Sequence, residues 1–300
     1  MRTITNTNIS ETGWNLLNSI EKLKEILTIK RLQPHRAVRA IGNETTITTS
    51  KELKVKALNI YINGAHILKN VNVNIPKNKI TCIIGPSGCG KSTLLRTFNR
   101  LIDTTEGVNI SGEVNLGEEN IVKAKGSQIT ELRRQMGLVP QRPCPLPMSI
   151  YDNVAYGARI HGEHHHIRLN KIVEENLRAA GLWEEVKDRL KSPAARLSIG
   201  QQQRLCLARS LAVKPSYLLA DESTSALDPL SSKKVEELFV NLKQDYSIIM
   251  VTHTLRQALR IADYVVFMYL GEVIEAGEAQ QVFKNPQKEL TQKYLAGAFS

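Results

Sequence analysis

A glycine-rich stretch directly after a short apolar run constrains this chain more than any other feature. Residues 85–93 read GPSGCGKST, and the residues just before them read ITCII. Glycines let a backbone wrap closely around phosphate oxygens, and the helix that follows adds the positive end of its dipole. The spacing Gly85-x4-Gly90-Lys91-Ser92 is the P-loop pattern, in the strand-to-helix context that the pattern requires. The sequence therefore predicts a site for nucleotide phosphates.

Each part of this loop has an expected contact. Lys91 should reach the β- and γ-phosphates, and the Ser92 hydroxyl should bind Mg²⁺. Successive backbone N–H groups should point inward as an anion nest. The predicted nucleotide-binding residues of the loop are Gly85, Pro86, Ser87, Gly88, Cys89, Gly90, Lys91, Ser92 and Thr93.

The composition limits the class of protein. The chain has 300 residues, 42% of them hydrophobic, which is enough for one large domain or two small ones. No run reaches the about 18 apolar residues of a transmembrane helix, and we expect neither a membrane span nor a secretory signal. The four cysteines form no C-x-x-C pair, which favours free thiols in a reducing compartment.

The charge is compatible with several partners. A formal net charge of +11 suits nucleic acid, an anionic membrane surface or a polyphosphate ligand, and does not choose among them. Aromatic residues make up only 5% of the chain, and no RNA-binding signature is present. We therefore expect no nucleic-acid partner.

Residues 1–50 differ from the rest of the chain. Apolar residues recur there at helical spacing, at Leu16, Ile20, Leu23 and Leu27. This pattern predicts an amphipathic helix over about residues 12–31, which either packs on its own domain or docks on a membrane surface or a partner. The polar TTITTS that ends this region predicts a linker, so we expect the compact domain to span residues 51–300.

Strand and helix patterns alternate through the compact domain, which predicts an α/β fold. Two strands should flank a turn at Asn63-Gly64 ahead of the P-loop strand. Further strands are predicted at residues 111–117, 136–139, 217–222 and 247–251, and helices over about 149–191 and at 202–213.

Two acids at the end of an apolar strand point to the metal shell. Residues 217–222 read YLLADE. In a parallel sheet beside a P-loop, such a strand end places Asp221 near Mg²⁺, whereas the alternative is that Asp221 caps the next helix. His253 lies just beyond a later strand and shares the sheet edge where ligands bind in open α/β folds.

The order of these motifs resembles that of the ATP-binding subunits of ABC transporters, over residues 53–300. The matching motifs are the P-loop, Gln141, LSIGQ at 197–201, LLADE at 218–222, SALD at 225–228 and His253. The resemblance implies a P-loop NTPase of the ABC ATPase type. It implies a mostly parallel core sheet, an antiparallel β subdomain and an inserted helical subdomain at about residues 142–200.

The resemblance also implies a head-to-tail homodimer with two ATP molecules at its interface. Each ATP would be held by one subunit's P-loop and the other's signature. The signature contacts would come from Ser198, Gly200 and Gln201, and Asp228 would act across the dimer.

The catalytic roles come from the same resemblance. Glu222 would orient or polarise the attacking water, and His253 would contact the γ-phosphate. Gln141 would couple Mg²⁺ and the water to the helical subdomain. The implied Mg²⁺ residues are Ser92, Gln141 and Asp221.

Several stretches look like the phosphate-import branch of the family. They lie at residues 94–100, 148–162, 205–211 and 269–277. The resemblance implies an ATPase at the cytoplasmic face of the membrane that drives import of inorganic phosphate through permease subunits. Its partners would be these permease subunits and, through them, a phosphate-binding protein. The alternatives are an ATPase for another polar solute such as an amino acid, and a non-hydrolysing ATP-binding regulatory module.

Three positions depart from the family pattern. Ile199 stands where the family usually has glycine, and a β-branched residue is strained if the position needs a positive φ. We expect a slowed ATPase that Ile199→Gly would accelerate, unless Ile199 takes helical angles with its side chain directed away. Ser223 replaces the proline after Glu222. Ile62 occupies the place of the adenine-stacking aromatic, so the adjacent Tyr61 is the candidate for that contact.

Overall fold

Two β-sheets organise residues 51–298, which are the residues that the computed structural model describes. The strands are β1 (Leu53–Ile62), β2 (Ala65–Ile75), β3 (Ile80–Ile84), β4 (Val108–Leu116), β5 (Glu119–Asn120), β6 (Met136–Val139), β7 (Tyr217–Asp221), β8 (Ser247–Val251), β9 (Tyr264–Tyr269) and β10 (Glu272–Glu278). The α-helices are α1 (Lys91–Phe98), α2 (Ser127–Gln135), α3 (Ile150–Ile160), α4 (His166–Ala179), α5 (Trp183–Val186), α6 (Ile199–Leu211), α7 (Pro229–Leu242), α8 (Leu255–Ile261), α9 (Ala279–Lys284) and α10 (Glu289–Leu295).

The larger sheet is the mostly parallel core that the sequence predicts. Its six strands lie in the order β10-β9-β3-β8-β7-β6, and only β10 pairs antiparallel to its neighbour. Every residue of β3, β7 and β8 is buried, because helices or the second sheet cover both faces. The strands predicted at 136–139 and 247–251 are confirmed, and the one predicted at 217–222 ends at residue 221.

The smaller sheet is antiparallel, in the order β2-β1-β4-β5. The turn predicted between its first two strands is confirmed. Asn63 and Gly64 have φ values of 50° and 82°, which is the left-handed pair that a tight hairpin requires. This sheet shares one apolar cluster with α1 and with one face of the core sheet.

The opposite face of the core sheet packs against the helical region. Leu177, Leu182 and Val186 are fully buried there as predicted, and Ile172 is partly buried. The helices expected over 149–191 are α3, α4 and α5. The predicted amphipathic helix and linker within 1–50 lie outside the described residues. The division of the chain into extension, ATPase domain and helical subdomain stays a prediction.

Candidate functional site

The predicted site residues follow the ends of neighbouring parallel strands. The P-loop follows β3, Asp221 ends β7, and His253 lies just after β8. Because β3, β8 and β7 are adjacent and parallel, their carboxyl ends lie at one edge of the sheet. The chain therefore gathers these residues where open α/β sheets bind ligands.

Glycine is required at the P-loop positions for different structural reasons. Gly85 and Gly90 have φ values of 147° and 100°. A Cβ at Gly85 would overlap the carbonyl oxygen of Met268, and one at Gly90 would lie 2.6 Å from Leu68 Cδ2. Gly88, with φ of 78°, has no neighbouring atom within 4 Å of its Cβ position, so this part of the loop is open to a ligand.

Lys91 is held against the loop that precedes it. Its Nζ donates to the carbonyl oxygens of Gly85 and Pro86, both at 2.8 Å, and the residue is only 6% exposed. The Cys89 sulfur lies 3.9 Å from the same Nζ. Burial raises the pKa of the Cys89 thiol, and the charge of Lys91 only partly offsets this. The ammonium is thus the charged group of the loop, and Cys89 stays a neutral thiol.

Ser92 and Asp221 meet as the sequence predicts for a metal shell. The Ser92 hydroxyl donates to Asp221 Oδ1 at 2.7 Å, and Arg96 Nη2 lies 3.6 Å from Oδ2. Asp221 is buried at the end of β7, whereas α7 is capped by Asp228. A hydroxyl and a carboxylate are the hard oxygen ligands that Mg²⁺ prefers, so this pair fits the ion.

The carboxylate of Glu222 connects the three residues expected to be catalytic. Gln141 Nε2 donates to Glu222 Oε2 at 2.9 Å, and His253 Nδ1 lies 3.3 Å from Oε1. The Glu222 backbone N–H donates to the Val251 carbonyl at 3.0 Å. Glu222 has a left-handed φ of 45°, which is unfavourable for a residue with a side chain.

The signature segment builds the start of α6. Ser198 Oγ accepts from the Gln201 N–H at 3.3 Å, and Gln201 Oε1 accepts from the Ser198 N–H at 3.1 Å. This reciprocal capping box explains why α6 begins at Ile199, earlier than the predicted residue 202. Gln201 Nε2 also donates to Glu185 Oε2 at 2.8 Å. Within one chain, Ser198 and Gln201 therefore stabilise the helix terminus.

Of the two conformations that the sequence leaves open for Ile199, the structure shows the helical one, without a positive φ. Ile199 is the first residue of α6, is not among the residues with positive φ, and is 56% exposed. The preceding Ser198 takes the extended cap conformation, so Ile199 enters the helix at ordinary angles. The packing constraint lies at the next residue. A Cβ at Gly200 would lie 2.8 Å from Ser231 Oγ and 3.1 Å from Ser231 Cβ, so a glycine there brings α6 close to α7.

Asp228 caps α7. Its Oδ1 accepts from the backbone N–H groups of Leu230 and Ser231, both at 3.0 Å. Hydrogen bonds from the Ser231 side chain and these N–H groups hold the pKa of Asp228 below its usual range. Asp228 is thus an ionised helix cap in the chain itself.

Tyr61 and Ile62 point to different environments, as strand alternation requires. The Tyr61 ring stacks on His66 with centroids 4.1 Å apart and planes 14° apart. Ile62 packs against the apolar cluster beneath the small sheet. One face of Tyr61 is therefore already covered by a side chain of the same hairpin.

A buried polar network close to Glu222 is absent from the sequence-based predictions. It joins Thr224, Glu236 and Gln257, all of which are less than a tenth exposed. The signal in the sequence is that Glu236 lies between Val235 and Phe239 on the apolar side of a helix, where a charge needs a partner. The partners themselves lie far away in sequence.

Comparison with known proteins identifies the family. The pattern of the family described as ABC transporter matches residues 68–225. The chain belongs to the ABC transporter family. Its match covers both the P-loop and the Asp221–Glu222 strand end, and it makes the chain an ATP-hydrolysing ABC ATPase subunit.

Two solved structures of the family are similar to this chain. CbiO1 from Clostridium perfringens, described as part of the ABC transporter complex cbiONQ, is 30% identical with a TM-score of 0.69, covering 79% of this chain and 92% of its own. The ATP-binding cassette MJ0796, described as a dimer in a post-hydrolysis state with ADP and Pi, is 31% identical with a TM-score of 0.66. That match covers 76% of this chain and 98% of the other. Both support the ABC ATPase fold that the sequence predicts.

Proposed function

We propose that this chain is the ATPase subunit of a transporter that imports inorganic phosphate. The observation that carries the catalytic part is the convergence of Gln141 and His253 on the Glu222 carboxylate, beside the P-loop. The three residues come from separate parts of the chain, and a shared contact at a sheet edge is what a phosphoryl-transfer site requires.

The P-loop supplies binding. Lys91 would leave the carbonyls of Gly85 and Pro86 and place its charge on the β- and γ-phosphates, while the loop N–H groups form the anion nest. Ser92 and Asp221 would hold Mg²⁺, with Gln141 nearby. The ion would neutralise charge on the phosphates when bound.

Glu222 and His253 supply the groups for hydrolysis. The Glu222 carboxylate would accept a hydrogen bond from the attacking water and orient it towards the γ-phosphate. His253 would donate to a γ-phosphate oxygen as charge develops there. Gln141 already donates to Glu222. A change in the position of the Glu222 carboxylate would therefore move Gln141 and, with it, the segment that leads into the helical region.

A homodimer would complete each site. Ser198, the Gly200 N–H and Gln201 lie at the N-terminus of α6, where backbone donors and the helix dipole favour an anion. They would meet the γ-phosphate bound to the partner subunit, and Asp228 would act across the same interface. The dimeric MJ0796 structure with ADP and Pi supports this arrangement by similarity.

The adenine would stack on Tyr61. Tyr61 is 37% exposed, and the His66 ring covers one face of its ring at a centroid distance of 4.1 Å, which would hold the ring in place for the base. Replacing Tyr61 with leucine should weaken ATP binding more than replacing His66 with glutamine. Equal affinity of wild type and Tyr61→Leu for ATP would remove Tyr61 from the site.

Transport would require separate membrane subunits. None of the helices between residues 51 and 298 has the length and apolar character needed to cross a bilayer. The segment after Gln141 leads into α3, which leaves Tyr156 and Ile160 exposed. We place the permease contact there and the chain at the cytoplasmic face of the membrane.

Phosphate is the proposed solute because the stretches at 94–100, 148–162, 205–211 and 269–277 resemble the phosphate-import branch. The test is ATP-driven uptake by the complex of this chain with its permease, in vesicles supplied with a solute-binding protein. Labelled phosphate should accumulate with wild type and not with Glu222→Gln. Uptake of amino acids but not of phosphate would show that phosphate is not the transported solute. The assignment as an ATPase subunit would be unaffected.

A regulatory module without hydrolysis is no longer favoured. The argument for this alternative was backbone strain at Ile199, but Ile199 begins α6 at ordinary helical angles. Steady ATP turnover by the purified chain is the direct measurement.

A further inference from the structure

A buried polar network ties the loop of Glu222 to the helix that follows His253. Gln257 Nε2 donates to Thr224 Oγ1 at 2.7 Å and to Glu236 Oε1 at 3.1 Å. Arg260 fixes the same carboxylate, with Nε to Oε2 at 2.9 Å and Nη2 to Oε1 at 2.7 Å. The network thus spans α7, α8 and the loop after β7, and its three inner members are almost completely shielded from water.

The two ends of this network lie close in sequence to Glu222 and His253. Thr224 follows Glu222 by two residues, and Gln257 lies in the first turn of α8, whose N-cap Thr254 directly follows His253. Gln257 therefore connects the two segments that carry Glu222 and His253, in addition to the 3.3 Å contact between these two residues.

Glu222 needs such an anchor because its own backbone is unfavourable. Its φ of 45° is left-handed, and surrounding contacts must hold a residue with a side chain in that region. Ser223, which follows it, cannot fix the turn as a proline ring would. The Ser223 hydroxyl is also buried without a hydrogen-bond partner. The turn is closed by the Ser225 N–H donating to the Glu222 carbonyl at 3.0 Å, and Thr224 lies inside it.

We infer that Gln257 is a positioning residue for ATP hydrolysis, acting through Thr224 on Glu222 and through α8 on His253. The inference rests on the proposed catalytic roles of Glu222 and His253. Arg260 and Glu236 hold the Gln257 carboxamide in one orientation, and Gln257 holds Thr224. Buried partners of this kind set the geometry of catalytic groups, and their loss lowers activity by about 10- to 100-fold.

The test compares ATP turnover with ATP affinity in the full-length chain. Gln257→Met keeps the length of the side chain and removes both hydrogen bonds, and Thr224→Val removes only the hydroxyl. Each should lower kcat about tenfold or more while ATP affinity stays unchanged, since Lys91 and the P-loop are untouched. Thr224→Ser retains the hydroxyl and should retain most of the wild-type kcat.

A matched control separates positioning from loss of stability. Lys243 Nζ contacts Asp263 at 2.7 and 3.0 Å, so Lys243→Met removes a partly buried polar contact at the C-cap of α7. It should lower Tm without lowering kcat. If Gln257→Met and Lys243→Met lower Tm equally and neither changes kcat, the network is merely structural and the inference is wrong.

Non-additivity distinguishes this inference from the proposed function. Thr224→Val and Gln257→Met together should cost no more than Gln257→Met alone, because Gln257→Met already breaks the connection to Thr224. In single-turnover reactions, Gln257→Met should lower the residual rate of Glu222→Gln less than it lowers the wild-type rate, because only the route through His253 then remains. Wild-type turnover by Glu222→Gln would overturn the proposed catalytic role of Glu222, on which this inference depends. Slow turnover by Glu222→Gln, with wild-type kcat in both Gln257→Met and Thr224→Val, would overturn the positioning role alone.

Discussion

The Gln141 carboxamide donates a 2.9 Å hydrogen bond to the Glu222 carboxylate, joining residues that lie 81 positions apart. Gln141 starts the segment that leads from β6 to α3. Asn153, fully buried in α3, holds that segment with its Oδ1 accepting from the Leu146 N–H at 2.8 Å and its Nδ2 donating to the Leu146 carbonyl at 3.1 Å. The Glu222 carboxylate is thus connected to the helical region through two amide side chains.

Gln141→Met should slow ATP hydrolysis and leave ATP binding intact. It removes the donor to Glu222, so the carboxylate loses one of its two side-chain contacts, and we expect kcat to fall by about tenfold. The control is Gln135→Met, since Gln135 contacts Glu131 on exposed α2 away from the site. Equal kcat for wild type and Gln141→Met would show that this hydrogen bond does not support catalysis.

Lys91→Ala and Glu222→Gln should separate binding from hydrolysis. Losing the Lys91 charge should weaken ATP affinity by about tenfold to a hundredfold. Glu222→Gln should bind ATP normally, accumulate an ATP-loaded dimer and lower kcat by about 10²- to 10⁴-fold. The measurements are equilibrium ATP binding, size-exclusion chromatography with ATP and steady-state turnover. An ATP-bound Glu222→Gln protein that stays monomeric at saturating ATP would contradict the dimer.

Gly200 should tolerate change less well than Ile199. Gly200→Val places a branched side chain against Ser231, and overpacking of this kind costs about 1–3 kcal/mol in the free energy of unfolding. Ile199→Gly should cost only about 0.5 kcal/mol in helix propensity and leave kcat near wild type, since no backbone strain is released. Thermal unfolding and turnover check both variants. A clear gain in turnover for Ile199→Gly would restore the idea that this side chain crowds the nucleotide.

Acid should loosen the start of α6 through Glu185. Arg204 donates to its two carboxylate oxygens at 2.7 and 3.1 Å, and Gln201 donates to it as well. The Arg204 hydrogen bonds hold the pKa of Glu185 below its usual range. Because the folded-state pKa is the lower one, the stabilisation is complete above the unfolded-state pKa of about 4.3 and is lost as pH falls through the folded value.

Wild type should therefore have a higher Tm than Glu185→Gln near pH 7, and the difference should shrink as the pH falls below about 4.3. Thermal unfolding at a series of pH values measures this. Glu184→Gln is the matched control, because Glu184 pairs with exposed Lys187 and Arg178 and should give a smaller difference at every pH. A constant difference between wild type and Glu185→Gln from pH 7 to pH 3 would contradict the assignment.

The motifs could be predicted from the sequence because their geometry is local. The P-loop needs three glycines and a strand-to-helix turn within a few residues, and the structure has left-handed φ values at Gly85, Gly88 and Gly90. Strands β6 and β8 have the bounds that the sequence predicts, because short, mostly apolar runs mark them. The meeting of Ser92 with Asp221 followed from the parallel order of the strands.

The sequence by itself thus determined the family, the core sheet and the residues at its carboxyl edge. The conformation of Ile199 follows from the local Ser198–Gln201 capping box, whereas the tertiary structure alone decided how closely Gly200 approaches Ser231. It also decided the partners of Gln257 and Glu185. Those contacts join side chains that are distant in sequence. Their distances are set by how helices pack on the sheet, which no local pattern encodes.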